Sequence, residues 1–460
     1  MPATGRPDRI WVTIGNASLL GIGYLMVRRR RLALVTTAVT VGVVVLQSVF
    51  VRAVWLDLVV LLWWAALIVH GSRVAATVAE PAGGVRVRRV VALALALLVV
   101  SAVAVLRMET AHIDRQVAEA RRGGDCVQGR IAAARLWLGD RVADAPRAAS
   151  IERTDRACAL LRGTADEFSM ALTGDTVSLA GGFALLDTVL TELPGHQAMA
   201  RRTLDDLLGR LPDGSEDCAA ADVTDWLGEH PFDDEVRRRA TDAVPTIAPW
   251  AVFGCAGNLM AVDNWAGARD RYQQLLDQYP RHALVDQAKA GLLRAVQAIE
   301  LATVRRLLQP PTPGAQPAYC RTPQPYSAAA PYRIANPNRA LLFGNDYDTA
   351  AFPAEWRAGD AADAVLVLCA GPTEFGDVVE TCTYRSELTH RLSDVSFHKK
   401  AIPLRVFEVR TGRPVLDTRV QIAGATCPPT LFSAADRVGA KYVESADADV
   451  RAAFDAVINP

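Results

Sequence analysis

The first 125 residues contain no cysteine, although the chain of 460 residues has eight, at 126, 158, 218, 255, 320, 369, 382 and 427. Lysine is scarce too, with only Lys289, Lys399, Lys400 and Lys441. Four common catalytic signatures are missing. There is no G-x-x-x-x-G-K-[ST], no H-E-x-x-H, no G-x-S-x-G and no G-x-G-x-x-G. Their absence removes the phosphate loop, the zincin helix, the nucleophile elbow and the dinucleotide fingerprint. No C-x-x-C occurs either, so a zinc ribbon or a thioredoxin-like pair has no support. No catalytic, cofactor-binding or metal-binding residue is therefore assigned, and no cofactor is expected.

What replaces these features is a strong asymmetry. Residues 1–107 hold twelve Arg and no Lys against Asp8, Asp57 and Glu80, a net of +9. The chain sums to zero, so the remainder carries −9. An acidic remainder would be repelled by phosphate, which argues against nucleic acid as its partner. The basic part contains four apolar runs, at 10–27, 32–51, 54–69 and 90–106. Each is about the length that crosses roughly 30 Å of hydrocarbon. Gly15, Asn16, Ser18, Gly21 and Gly23 weaken the first, for which an interfacial helix is the competing reading.

Arg28 to Arg31 separate the first two runs, and Arg73, Arg86, Arg88 and Arg89 separate the last two. Basic loops stay on the cytoplasmic side, which puts both chain termini outside. An even number of cysteines, all after the runs, fits disulfides in an oxidising compartment. The expectation is a multi-pass plasma-membrane protein in contact with the lipid bilayer, with the bulk of the chain extracytoplasmic.

Residues 108–122 continue the helical pattern as a stalk that Gly123 and Gly124 end. From 126 to 308 apolar residues recur at spacings of three and four, which predicts seven to nine helices packed as antiparallel pairs. Trp265 to Pro280 reads W-A-G-A-R-D-R-Y-Q-Q-L-L-D-Q-Y-P, and a further helix follows it. Ala268, Tyr272 and Pro280 fall at the spacing of a tetratricopeptide-repeat helix, and the stretch resembles such repeats. Gly182, Leu186 and Pro194 echo it weakly. The separation of 86 between Pro194 and Pro280 is not a whole number of 34-residue repeats, so an ordinary bundle with one repeat-like hairpin competes. Within this stretch Trp265 and Arg269 are the candidate partner-binding residues, and Tyr272 is a packing residue.

Residues 309–338 hold eight prolines and predict a semi-rigid spacer, which Tyr319, Tyr326 and Tyr332 are placed to pin onto a neighbouring domain. Residues 339–460 change to strand period. Residues 364–369 form a compact apolar strand, with 378–384 expected as its antiparallel neighbour. Residues 402–410 and 414–422 flank Thr411-Gly412, a hairpin signal. Residues 447–458 form an amphipathic helix with an acidic start. His390, Asp394 and His398 would share a helix face that zinc could use, but Ser393, Val395, Ser396 and Phe397 favour a loop or strand, where the spacing means little.

The segments C369-A-G, C382-T-Y, E408-V-R-T-G412 and C427-P-P resemble an uncharacterised actinobacterial membrane-protein family. In that family a multi-span anchor precedes tetratricopeptide-like helices and a strand-rich module, and the resemblance implies no activity.

The expected fold is thus a four-span α-helical anchor (1–107), an extracytoplasmic α-helical repeat-like domain (108–308), a linker (309–338) and a small α+β module of antiparallel strands (339–460). Disulfides are expected between Cys126 and Cys158 and between Cys218 and Cys255. Two more form among Cys320, Cys369, Cys382 and Cys427, in any of three connectivities. The expected function is binding of an envelope protein or peptide. An enzyme acting on cell-wall polymer, or a receptor signalling through a partner, are the alternatives.

Overall fold

The computed structural model describes residues 16, 23–24, 29–49, 54–77, 85–214, 216–332, 338–345, 351–387, 389–432 and 439–459. It is mostly helical, with thirteen α-helices and a carboxy-terminal mixed sheet among those residues. The chain divides into two compact units, Met1–Ala251 and Val252–Pro460.

In the first unit α1 (Arg30–Val49) and α2 (Val54–Thr77) form where the second and third apolar runs were expected. The first run lies almost wholly outside the described residues. Helix α3 (Val85–Gly123) is continuous for 39 residues, about 58 Å. After Arg86, Arg88 and Arg89 in its first turns, the stretch 90–106 is apolar and unpacked: Val90, Leu97, Leu98, Val100 and Val105 are all more than 60% exposed. Beyond Met108 the pattern narrows to one buried stripe, Ile113, Val117 and Ala120, as in a helix packed on protein. The expected stalk is therefore the second half of the same helix. It stops at Gly123, and Gly124 takes the left-handed φ of 71° that suits glycine.

Four spans were expected, and the described residues contain two helices long and apolar enough to cross a membrane. One is Leu93–Gly123, within α3. The other, Glu235–Ala261, was not expected. Its first turns carry ion pairs to neighbouring helices, Arg237 with Asp187, Arg239 with Asp205 and Arg201 with Glu235, the surroundings of a helix packed in protein. Helix α2 contributes a shorter apolar stretch, Leu61–Val74.

Between residues 126 and 307 lie nine described helices: α4 (Cys126–Ala133), α5 (Leu138–Ala143), α6 (Ala145–Ala171), α7 (Thr176–Glu192), α8 (Gln197–Gly214), α9 (Asp217–Glu229), α10 (Glu235–Ala261), α11 (Trp265–Gln278) and α12 (Val285–Leu307). Carboxylates cap them locally. Asp125 accepts from Gln128 N at 3.0 Å, and Asp175 accepts from Val177 N at 2.9 Å. Helices α6 and α7 pair closely because Gly182 has no side chain. A Cβ there would meet the Phe168 ring at 2.6 Å.

The expected domain boundaries differ from those of the two units. The division falls inside α10, not at 308, and the proline-rich segment is no spacer. Tyr319 and Cys320 are fully buried, in one core with Val304, Leu308, Val367, Cys369, Phe407 and Val409. The physical reason is tertiary: each proline removes a backbone donor, but the apolar residues between them still have surface to bury. Arg305 pairs with Asp360 at 2.5 Å, and Cys320 is bonded to Cys369, so α12, the proline-rich segment and the sheet are tied within one unit.

The sheet has six strands: β1 (Ala340–Phe343), β2 (Leu366–Ala370), β3 (Glu374–Arg385), β4 (Leu392–Glu408), β5 (Pro414–Ile422) and β6 (Ala440–Tyr442). It is mixed rather than antiparallel, because β1–β2 and β4–β6 are parallel pairs. The expected partnership of residues 378–384 with β2 is corrected. β3 pairs with the first half of β4, whose second half pairs with β2 and β5. Strand β4 is 17 residues long, enough to serve both. The hairpin at Thr411-Gly412 joins β4 to β5, with Gly412 at φ 66°. The last helix, α13 (Asp447–Ile458), packs on β5 and buries Val450, Phe454, Val457 and Ile458 in one core with Leu366, Leu368, Val420 and Ile422. Asn338 ties the entrance of β1 to its end through two bonds to the Ile458 carbonyl, at 3.1 and 2.9 Å.

All eight cysteines are oxidised. Cys126 bonds Cys158, as expected from their short separation. In the second unit the pairs are Cys320–Cys369 and Cys382–Cys427, which selects one of three connectivities. Cys218 and Cys255 are disulfide-bonded as well.

Candidate functional site

Helix α11 begins at Trp265, where Asn264 accepts from Gly267 N at 3.1 Å and caps the first turn. The stripe Ala268, Tyr272 and Leu275 is buried. The Tyr272 ring lies against Gly291 of α12, where a Cβ would sit 2.4 Å from the ring, and meets Phe253 edge-on at 5.7 Å. The small residue on one helix and the ring on the other let the pair close. Trp265 opens the same stripe but is only half-buried, because the packing ends there.

That open end is a pocket of about 330 Å³ lined by Asp263, Asn264, Trp265, Ile299, Thr303 and Arg306, with small walls at Ala266 and Ala302. The volume is at the lower end of the range for ligand pockets, about 300–1,000 Å³, and admits one side chain or a small group. Its lining is mixed: an indole and Ile299 offer apolar contact, while Arg306 and Asp263 offer charge of both signs. Asp263 stands at φ 59°, a left-handed conformation that Asp adopts more readily than bulky residues. Arg269 is exposed on the flank of α11 and bonds its neighbour Asp270 at 2.8 Å. Trp265 and Arg269 thus lie one turn apart, with only Trp265 in the pocket wall. The lining from α12 escaped sequence reading, because Ile299, Thr303 and Arg306 join Trp265 only through tertiary packing.

A larger cavity of about 560 Å³ lies between α4 and α6. Two ion pairs line it, Arg130–Asp155 at 3.4 Å and Arg141–Glu152 at 3.0 Å, so these groups answer one another rather than a ligand.

Among the described residues, the carboxylates whose pKa moves all move down. Backbone and hydroxyl bonds from Ser178 lower Asp175. At Asp234 burial acts upward, but hydrogen bonds and charge from Arg237 outweigh it. The Arg305 side chain holds Asp360 at about 2. These groups stay ionised, the opposite of a general acid.

Of the cluster His390, Asp394 and His398, the latter two lie on β4 and are separately engaged. Asp394 accepts from Thr383 at 2.6 Å, and His398 Nδ1 lies 2.9 Å from the Gly376 carbonyl. His390 sits in the β3–β4 turn at φ 52°. Glu380 lies near Cys382 and Cys427, but those sulfurs are bonded to each other and are not thiolate ligands.

No family model, curated protein or solved structure matches the chain, so no relative brings a function to it.

Proposed function

We propose that this protein is anchored in the plasma membrane by its amino-terminal apolar helices and holds the residues after Met108 on the extracytoplasmic side. There it binds an envelope protein or peptide through the Trp265 pocket and the adjoining Arg269 surface. The unpacked apolar start of α3 supports the anchor, since water would penalise such a surface and hydrocarbon would not. The basic loops support the orientation. The oxidised cysteines suit that compartment.

The observation that carries the binding reading is the pocket itself. The α11–α12 hairpin is closed by Tyr272 on Gly291 and then left open at Trp265, which lines a small hollow together with Arg306. Crosslinking in intact cells tests it. The wild-type chain captures a defined envelope protein, and Trp265→Ala or Arg269→Glu weakens that capture without unfolding the chain. Unchanged capture by both folded variants overturns the assignment. Turnover of cell-wall fragments by the purified chain favours the enzyme instead.

A further inference from the structure

We propose that Trp137 and helix α5 form an interfacial foot, seated in the headgroup layer of the bilayer that holds the chain. The proposal rests on the membrane reading of α3. Its geometry is independent of the Trp265 pocket.

The apolar, unpacked part of α3 ends at Leu106, and Arg107 is the first charged residue after it. If α3 crosses the bilayer, Arg107 marks the hydrocarbon boundary. Helix α5 is fixed at that level by two contacts. Arg107 Nε donates to the Ala143 carbonyl at 2.8 Å, and Thr110 shares its hydroxyl proton between the Leu106 carbonyl at 2.8 Å and Asp140 Oδ1 at 3.2 Å. Thr110 and Asp140 are both fully buried, so this bond is a pin shielded from water. The other oxygen of Asp140 accepts from Trp137 N at 3.2 Å and sets the start of α5. The short helix therefore lies within about one turn, ~5 Å, of the point where α3 leaves the hydrocarbon. Helix α1, itself apolar and exposed at Leu34 and Val35, also lies against α5.

The outward side of this fixed element is apolar. Trp137 is 55% exposed, Leu138 59% and Val142 45%. The indole lies along the helix over Gly139, where a Cβ would sit 2.4 Å from the ring. An exposed Trp–Leu–Val surface is costly in water. At a membrane surface it is favourable, because the ring buries its apolar body and keeps its N–H near the headgroups. The short amphipathic element is too small to bind a membrane alone. Pinned to α3, it has no binding entropy to overcome.

The test uses the full chain in phosphatidylcholine vesicles and reads tryptophan fluorescence. The component lost in Trp137→Phe isolates this indole. It should be blue-shifted, lose most of its intensity with lipid brominated at the headgroup end of the acyl chains, lose less with lipid brominated near their ends, and resist aqueous acrylamide. Val142→Trp in the Trp137→Phe background should restore a component with the same behaviour, whatever local change the first substitution causes. A component quenched by acrylamide and by no brominated lipid places the face in water and overturns the foot. A component quenched by neither places a protein surface over it, such as a second copy of the chain, and overturns it equally. The other indoles separate this failure from that of the anchor. Trp63 and Trp64 of α2 quenched by lipid while Trp137 is not leaves the anchor standing without the foot. No indole quenched by lipid removes both.

Discussion

Two helical hairpins, one in each compact unit, close by the same device and end differently. In α6–α7 the Phe168 ring lies on Gly182, and in α11–α12 the Tyr272 ring lies on Gly291. Around the first, further rings are added: Phe183 stacks on Phe232 at 4.7 Å and on Trp226 at 5.4 Å, and Arg237 lies over Phe232. Around the second, packing stops at Trp265 and leaves a pocket. The ring-on-glycine contact is thus a way to bring two helices together and says nothing about binding. What distinguishes the second hairpin is the uncovered turn beyond the contact.

The largest effects are expected at the two rings. Phe168→Ala and Tyr272→Ala should each cost about 3–5 kcal/mol, since both remove a buried ring. Denaturant unfolding with unchanged slope checks this. A large loss for Phe168 with almost none for Tyr272 would show that the second hairpin is not held by its ring.

Next in size is the disulfide of the proline-rich segment. Replacing Cys320 and Cys369 together by Ala should cost about 2–4 kcal/mol, because the bridge closes a loop of 49 residues in the unfolded chain. It should also raise hydrogen exchange around Tyr319. Unaltered exchange there would return the segment to the status of a spacer.

The two units should respond to acid in different windows. In the first, His196 is buried between the Leu193 carbonyl at 2.8 Å and Thr154 Oγ1 at 3.0 Å. Burial lowers its pKa, and Arg121 and Arg153 act the same way against the bond to Leu193. The folded state then binds the proton less readily than the unfolded chain. Stability should be level above about pH 6.5 and fall as pH drops below it. His196→Gln should abolish that slope in a pH series of unfolding measurements.

In the second unit Asp360, held at about 2 by Arg305, has a depressed folded value. Its contribution should be present above about pH 4 and be lost as pH falls through about 2. Both partners are more than a third exposed, so Asp360→Asn should cost only about 1 kcal/mol or less at neutral pH, and nothing at the acid end.

The smallest effect is expected at Arg269. It is exposed and bonded only to exposed Asp270 among the contacts described, so Arg269→Glu should leave the melting temperature almost unchanged. A large drop would make the residue structural and remove it from the binding surface.

Much of this architecture could be read from local pattern. The ends of α13 follow from an acidic first turn and a 3.6-residue period, and the β4–β5 hairpin follows from Thr411-Gly412. The buried role of Tyr272 follows from its spacing to Ala268. What escaped was set by distant partners. The four-residue strand β1 exists because it pairs with β2. The partner of β3 depends on the length of β4. The proline-rich segment looks like a spacer until Tyr319 and Cys320 are seen inside a core. Half of the candidate pocket was equally hidden, because Ile299, Thr303 and Arg306 have no local feature that points to Trp265.

The proposed anchor requires that α3 carry the chain through a bilayer and leave the residues after Met108 on the far side from the cytoplasm. A reporter enzyme active only outside the cytosol, fused after Pro460 and separately inserted near Gly83, tests this directly. Activity is expected from the fusion after Pro460 and silence from the insertion near Gly83. Silence after Pro460 with activity near Gly83 would reverse the orientation, and equal behaviour at both sites would mean that α3 does not cross the membrane.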